Sequence, residues 1–374
     1  MSNSNERKPL IPVTLLTGFL GSGKTTLLNK LVKQDAFKDT LIIINEFGEM
    51  ALDHMLVTHA TENVIMEMGN GCLCCTIRGD LVKTLRDITW RFARGGERHF
   101  SRVLIETTGL ADPAPIIHTL MTHPQIASRY KLDGVITLVD ACNGSDTLNN
   151  HPEAVKQAAV ADVLMLSKED LAPAEQSEQL KLRLKKINPA ANLWSSSQGD
   201  VNADQLIDLG LFSSTGKAPD VAKWLKEEAY ADHDHDHDHD HDHDHDHDHD
   251  HHHHGHEHHH HHHHDVNRHN DHIRAFCFAI DTPITEEQLS AWLDVLMSFM
   301  GENILRVKGI LNIQGHEAPI VIHGVQHVFH PLVPLPEWPS EDRRSRIVFI
   351  TKDVPREVVE SALEALTGIK PAKV

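Results

Sequence analysis

The run Gly18-Phe19-Leu20-Gly21-Ser22-Gly23-Lys24-Thr25 constrains this chain more tightly than any other segment. It follows the apolar run 11–17 and opens the helix-period stretch 25–32, the strand–loop–helix setting that the Walker A pattern requires. Glycines let such a loop curl until successive N–H groups face one concavity, and the helix N-terminus adds positive potential, so the loop binds phosphate oxygens. Gly18, Gly21, Ser22, Gly23 and Thr26 then belong to the cradle, and Lys24 spans the β- and γ-phosphates. Thr25 offers its hydroxyl to Mg²⁺, a hard ion that prefers oxygen ligands.

The runs 40–44, 64–68, 103–105, 135–139 and 163–166 are short and almost wholly apolar, with Glu67 the one charged exception. Such runs suit strands buried on both faces. Helix-period stretches at 77–92, 113–121, 153–160 and 173–186 alternate with them. The expected fold is α/β: a P-loop NTPase domain over residues 1–212, its mostly parallel sheet flanked by helices. Beyond Phe212 the pattern weakens, and residues 213–271 read as a linker. Within it, 232–265 is an Asp–His tract with no apolar residue to bury, so it cannot offset its ordering entropy and is expected to be disordered. A second pattern begins at Ile273, with strands at 273–280, 304–313, 319–329 and 346–350 and helices at 285–300 and 355–366. Residues 272–374 therefore read as a small α+β domain.

Two further segments belong with the phosphate loop. Glu106-Thr107-Thr108-Gly109 follows the run 103–105, in the spacing of the GTPase Asp-x-x-Gly element. A strand-end acid there can hold a Mg²⁺-bound water, and a glycine three residues on can turn its N–H to the γ-phosphate. Glu in place of Asp implies an approach to the metal through water. Asn45-Glu46-Phe47-Gly48-Glu49 ends the second run, in the position of a switch that senses the third phosphate. Glu46 there can touch Mg²⁺, orient water or contact a thiol-bound metal. Lys24, Glu46, Glu106 and Gly109 are thus the candidates for hydrolysis.

Base choice rests on Ser167-Lys168-Glu169-Asp170, just after the run ending at Leu166. In the GTPase Asn-Lys-x-Asp element the Asp carboxylate accepts from guanine N1 and N2, a pairing adenine cannot make, and the Lys stem covers the ring. Ser167 replaces the Asn, but Asp170 keeps the discriminating acceptor, so the nucleotide is read as GTP.

Gly71-Cys72-Leu73-Cys74-Cys75 places three of the five cysteines in one turn. Thiolates at Cys72, Cys74 and Cys75 can converge on one soft or borderline ion, Zn²⁺, Co²⁺ or Cu⁺, rather than Mg²⁺ or Ca²⁺. A fourth ligand from water, a carboxylate or a client protein would leave the site exchangeable. Cys142 and Cys277 stand alone and read as core thiols.

Clustered thiols and a polar start over residues 1–8, with no secretory pattern, lead to an expected cytoplasmic location. No run of about 18 uncharged apolar residues is present to span a bilayer. The formal charge is −19, but residues 232–265 hold eleven Asp and one Glu, which leaves −7 for the remainder. No basic stripe exists, so neither nucleic acid nor membrane is an expected partner.

Taken in order, these motifs, together with Leu110-Ala111-Asp112-Pro113, resemble those of the CobW-like GTPases, and within them the YjiA-like branch. The resemblance covers nearly the whole chain except the His tract and resumes near Ile273. It implies a nucleotide domain of the dimer-forming, metal-handling class, a C-terminal CobW domain and slow GTP hydrolysis. It also implies zinc or cobalt at the Cys-x-Cys-Cys motif, with Ni²⁺ handled by some relatives. Zinc delivery to a client apo-metalloprotein is then the leading expectation. Cobalt handling for cobalamin synthesis, a passive His-rich metal buffer and a plain GTPase of RNA or protein modification are the rivals.

Of 33 histidines, 21 lie between His233 and His264. A flexible tract of that length spans roughly 30 to 35 Å, so its imidazoles reach a local concentration of roughly 0.3 M. Dense imidazole and carboxylate gather divalent ions but choose poorly among them. Choice would fall to the thiols, and because imidazole must be neutral to bind, tract loading falls below about pH 6.5.

Overall fold

The structure, a computed structural model, describes residues 9–44, 64–67, 76–91, 93–94, 97–98, 100–196, 201–207, 209 and 272–372. Glu46, Glu49, Cys72, Cys74, Cys75 and the tract bounded by His233 and His264 lie outside the described residues.

The first half builds one parallel sheet in chain order. Its elements are β1 (Ile11–Gly18), α1 (Lys24–Leu31), β2 (Thr40–Ile44), β3 (Val64–Glu67), α2 (Thr76–Arg91), the short pair β4 (Ala93–Arg94) and β5 (Glu97–Arg98), and β6 (Arg102–Glu106). There follow α3 (Ala114–Thr122), α4 (Pro124–Ala127), β7 (Tyr130–Asp140), α5 (Gly144–Asn150), α6 (Pro152–Ala159), β8 (Val163–Ser167), α7 (Ala174–Ile187) and β9 (Asn192–Ser196). The order across the sheet is β3-β2-β6-β1-β7-β8-β9, and every pairing is parallel. One face presents Val13, Leu15, Ile43 and Ile105 to α2, α3 and α4. The other presents Leu16, Ile42 and Leu138 to Leu27, Leu28 and Leu31 of α1. Two covered faces explain why these strands read as continuous apolar runs.

β7 begins at Tyr130, earlier than its apolar run suggests, because Lys131 and Asp133 are buried within it. Charged residues persist in a buried strand when paired. Asp133 is paired with Arg102 on β6 and also accepts from Thr14 Oγ1 at 3.3 Å.

The second half is an antiparallel sheet. Its elements are β10 (Ile273–Ile280), α8 (Glu286–Met300), β11 (Ile304–Leu311), β12 (Ile320–Val325), β13 (Val328–Phe329), β14 (Val333–Pro334), β15 (Ser345–Lys352) and α9 (Arg356–Thr367). The order is β10-β15-β11-β12-β13, with β14 beside β12. The stretch 319–329, expected as one strand, is broken: Gln326 takes a left-handed φ of 51° and folds β12 back on β13. Helix α8 starts at a capping box, Thr285 with Gln288, which satisfies two terminal amides reciprocally.

Both faces of this sheet are apolar, and both are covered. Phe276, Phe278 and Val307 pack with Trp292 and Leu363 under α8 and α9. Ala275, Cys277, Ile310 and Val348 share a core with Leu164, Leu166, Leu180 and Leu184 of the first half. At this seam Asp162, just before β8, receives three donors. Arg306 Nη2 lies 2.5 Å and Lys308 Nζ 2.6 Å from Oδ1, and Val135 N donates to Oδ2 at 2.9 Å. Burial pushes the Asp162 carboxyl upward, but the Arg306 and Lys308 cations overcome it and hold the group well below the usual carboxylate range. Burial first, then Arg306, pushes Lys308 down to about 8 despite Asp162.

His323 on β12 shares this environment. Burial, then repulsion from Arg306 and Lys308, depresses it well below 6.5, against the pull of Asp162 and with a further push from His330. His330 is itself depressed by burial. As pH falls below 6.5, these imidazoles take up protons more readily in the unfolded chain than in the native one, so stability is lost. The urea midpoint should therefore fall from pH 7 toward about 5.5, and His323→Leu should flatten the slope by up to about 1.4 kcal/mol per pH unit. An unchanged slope would show that His323 is not carrying it.

Candidate functional site

The carboxyl ends of β1, β6 and β8 meet at one edge of the parallel sheet, where open α/β sheets place their ligands. There a cleft of about 330 Å³ is lined by the phosphate loop, Ile44 at the end of β2, residues 106–109 and Lys168. Gly21 and Gly23 take left-handed φ values of 73° and 92°. That backbone sense, costly for residues with a Cβ, curls the loop ahead of α1. Lys24 is nearly buried, and its Nζ donates to Gly18 O at 2.9 Å and Phe19 O at 3.1 Å. The ammonium thus braces the curl from inside, at the loop's centre.

Thr25 Oγ1 donates to Glu106 Oε1 at 3.0 Å. Glu106 is 5% exposed and ends β6 opposite Leu16 of β1, so the sheet register sets the pair. A hydroxyl and a carboxylate side by side are hard oxygen donors of the kind Mg²⁺ takes, and the residues present fit that ion. The segment after Glu106 is fastened to the end of β1, just ahead of the loop. Thr107 N donates to Leu16 O at 3.0 Å, and Thr107 Oγ1 donates to Thr17 Oγ1 at 2.8 Å. Gly109 lies so close to the phosphate loop that a Cβ there would meet Leu20 N at 2.5 Å.

Ser167, the departure from the usual Asn, donates its hydroxyl to Ser22 O at 2.7 Å. It ties the base-reading segment to the phosphate loop. Lys168 has a left-handed φ of 57°, and its Nζ donates to Asp140 Oδ2 at 2.7 Å. Asp140 also accepts from Cys142 N at 2.8 Å and from the Asn143 amide at 3.2 Å. Burial pushes its carboxyl up, but the bonds from Lys168, Cys142 and Asn143 together prevail and hold it low. Glu169 meets Lys181 on α7 at 2.5 Å, and its carboxyl is lowered by that bond and by Ser195. Asp170, two residues past Lys168, is exposed.

The described residues therefore gather Gly21, Gly23, Lys24, Thr25, Thr26, Glu106, Gly109 and Lys168 around one cleft, with Gly18 and Ser22 bonded to Lys24 and Ser167 behind that lining; Asp170 is not among the residues that line it. β2 ends at Ile44 and β3 at Glu67 on the same carboxyl edge. The chain enters the segments carrying Glu46 and Cys72 from there. Among the described residues no group of three or more His, Cys, Asp or Glu is arranged to hold a metal ion, and no helix is long and apolar enough to cross a membrane. Sequence reading missed Asp140, the anchor of Lys168. Its position as a carboxylate at the end of a buried strand is the signal that could have found it. It also missed Gln157 on α6, a mid-helix glutamine without any motif around it.

Two family models match the chain. The family described as "CobW/HypB/UreG, nucleotide-binding domain" matches residues 12–195, and "Cobalamin synthesis protein cobW C-terminal domain" matches residues 273–367. The chain is 32% identical over 357 residues to the zinc chaperone YjiA of Escherichia coli (strain K12), covering 95% of this chain and 98% of that protein. It is 26% identical over 365 residues to the zinc-regulated GTPase metalloprotein activator 1 of Schizosaccharomyces pombe, covering 93% and 81%. The crystal structure of Zn(II)-bound YjiA GTPase from E. coli superposes with a TM-score of 0.63 at 26% identity, covering 96% of this chain and 99% of that one.

Proposed function

Because the chain belongs to the CobW/HypB/UreG family and is a GTPase, we propose that it is a zinc metallochaperone whose thiol site is loaded and emptied in step with GTP hydrolysis. The observation that carries this reading is the carboxyl edge of the sheet. The phosphate loop, Glu106 and the strand leading to Cys72 all leave the sheet there. The zinc named for its relatives fits the soft thiolate set of Cys72, Cys74 and Cys75.

In this reading GTP lies in the cleft with its phosphates on the loop N–H groups and Lys24. Its base meets Lys168 and Asp170. Thr25 directly and Glu106 through water would hold Mg²⁺, which would supply charge neutralisation for the phosphates. The Gly109 N–H and Glu46 sense the γ-phosphate, and its loss releases their segments, an order-to-disorder device common to nucleotide switches. The tract bounded by His233 and His264 gathers ions, and the thiols select among them. Zn²⁺ passes as cargo to a client apo-metalloprotein in the cytoplasm. Leu20 and Leu110, 59% and 50% exposed near the cleft, offer an apolar rim for that client or for a second copy of the chain.

The test is Zn²⁺ competition on protein lacking residues 232–265, with GDP, with a non-hydrolysable GTP analogue and without nucleotide. The expected result is an affinity change of about tenfold or more between the nucleotide states, or about 1.4 kcal/mol. Equal affinity in all three states would exclude gating. A preference for Co²⁺ over Zn²⁺ would favour the cobalt reading.

A further inference from the structure

We propose that Gln157 of α6 is a positioning residue for GTP hydrolysis, holding segment 109–111 so that the Gly109 N–H faces the γ-phosphate. The inference rests on reading the cleft as the GTP site and adds a residue to it. Gln157 is 1% exposed. Its Nε2 donates to Gly109 O at 3.1 Å and to Ala111 O at 2.9 Å. Both acceptors are carbonyls, so the nitrogen end of the amide must face them, and both amide hydrogens are used.

The bonds act on the peptide units that matter. Thr108 O accepts from Ala111 N at 3.2 Å, which holds the peptide unit containing the Gly109 N–H. Gln157 holds the next unit through Gly109 O. Both peptide planes flanking the Gly109 Cα are thereby fixed, and the N–H direction with them.

α6 is itself anchored, since Thr137 Oγ1 on β7 donates to Gln157 O at 2.8 Å. The neighbouring residue adds a second tie. Lys156 Nζ meets Asp112 Oδ2 at 2.9 Å, and Asp112 Oδ1 accepts from Ala114 N at the start of α3 at 2.9 Å. One helix thus clamps the irregular segment 109–112, which faces the phosphate loop across the Gly109–Leu20 contact. A donor fixed before the reaction stabilises charge developing on the γ-phosphate without reorganisation cost. GDP has no γ-phosphate, so its binding should not depend on the clamp.

The experiment compares full-length wild type, Gln157→Leu and Gln157→Glu. It measures single-turnover GTP hydrolysis and affinities for GDP and a non-hydrolysable GTP analogue, with a urea midpoint as folding control. Gln157→Leu should lower kcat roughly 10- to 100-fold, the scale of a misplaced reacting group. Its GDP affinity should stay within about twofold of wild type. Gln157→Glu should be impaired near pH 8, where a carboxylate faces two carbonyls. It should regain part of the lost rate relative to wild type toward about pH 6, as the protonated acid donates its single O–H to one of the two carbonyls.

Wild-type kcat in Gln157→Leu, or equal losses of GDP and triphosphate affinity, would overturn the assignment. So would equal, pH-independent defects in both variants. Should Gln157→Leu fail to fold, Lys156→Met removes the partly exposed tie and decides the matter. A kcat drop of about threefold with GDP affinity intact supports the clamp, and an unchanged kcat refutes it. Failure of the wild type itself to bind GDP would instead strike the reading of the cleft.

Discussion

Lys24→Ala should reduce GTP hydrolysis by about 10³-fold, equivalent to about 4 kcal/mol of lost transition-state stabilisation. The ammonium is the one side-chain cation within the curl of the loop as described, and its donors already sit 2.9 and 3.1 Å from Gly18 O and Phe19 O. Its replacement removes both the internal brace and the charge that meets the β- and γ-phosphates. Lys24→Arg should not restore the rate, because a planar guanidinium cannot occupy the space of a compact ammonium at the centre of a curled loop. The same variant separates two functional readings. If GTP gates delivery, Lys24→Ala should bind Zn²⁺ at Cys72, Cys74 and Cys75 yet lose the nucleotide dependence of that binding. If the protein only buffers metal, the variant should behave as wild type in any metal-resistance assay. Hydrolysis within about tenfold of wild type would show that Lys24 does not hold the phosphates.

The parts of this molecule that were legible from sequence share one physical cause: both faces of each strand are covered, or a backbone demand selects glycine. β1, β2, β8 and β10 came out as short apolar runs because helices or the second sheet bury both sides of them. The phosphate loop was legible because its curl admits few residues at Gly21 and Gly23. Less legible were the places where a polar residue is buried with a partner distant in the chain. Lys131 and Asp133 conceal the start of β7, since Asp133 is matched by Arg102 on another strand. Arg306 and Lys308 resemble a solvated strand face until Asp162 is seen opposite them. Ser167 looked like a weakened base-reading motif, but its hydroxyl reaches the phosphate loop. Gln157 carries no local signature, because its meaning lies in the carbonyls it meets 46 and 48 positions away.

Asp162→Ala should be the most damaging single substitution at the seam between the two sheets, lowering unfolding free energy by about 3–5 kcal/mol. The carboxylate lies between Arg306 at 2.5 Å and Lys308 at 2.6 Å, and all three side chains are nearly excluded from water. Taking such ions out of water costs several kcal/mol each, so the cluster adds little attraction over an apolar seam of equal volume. Its removal in part is what costs. Without Asp162 two cations stay buried without the carboxylate between them, and Val135 N loses its acceptor. Lys308, already pushed down to about 8, should then lose its proton more readily. The triple change Asp162→Leu, Arg306→Met, Lys308→Met should recover most of the loss, ending within about 2 kcal/mol of wild type, because the neighbouring core of Leu164, Ile310 and Val321 can extend across the gap. Urea unfolding monitored by the five tryptophans separates the outcomes. A loss below about 1 kcal/mol for Asp162→Ala would mean that water reaches the cations and that the seam is looser than its packing implies. If the single variant unfolds in two steps and the triple in one, the ions set the register in which the sheets meet, while the apolar core supplies the attraction.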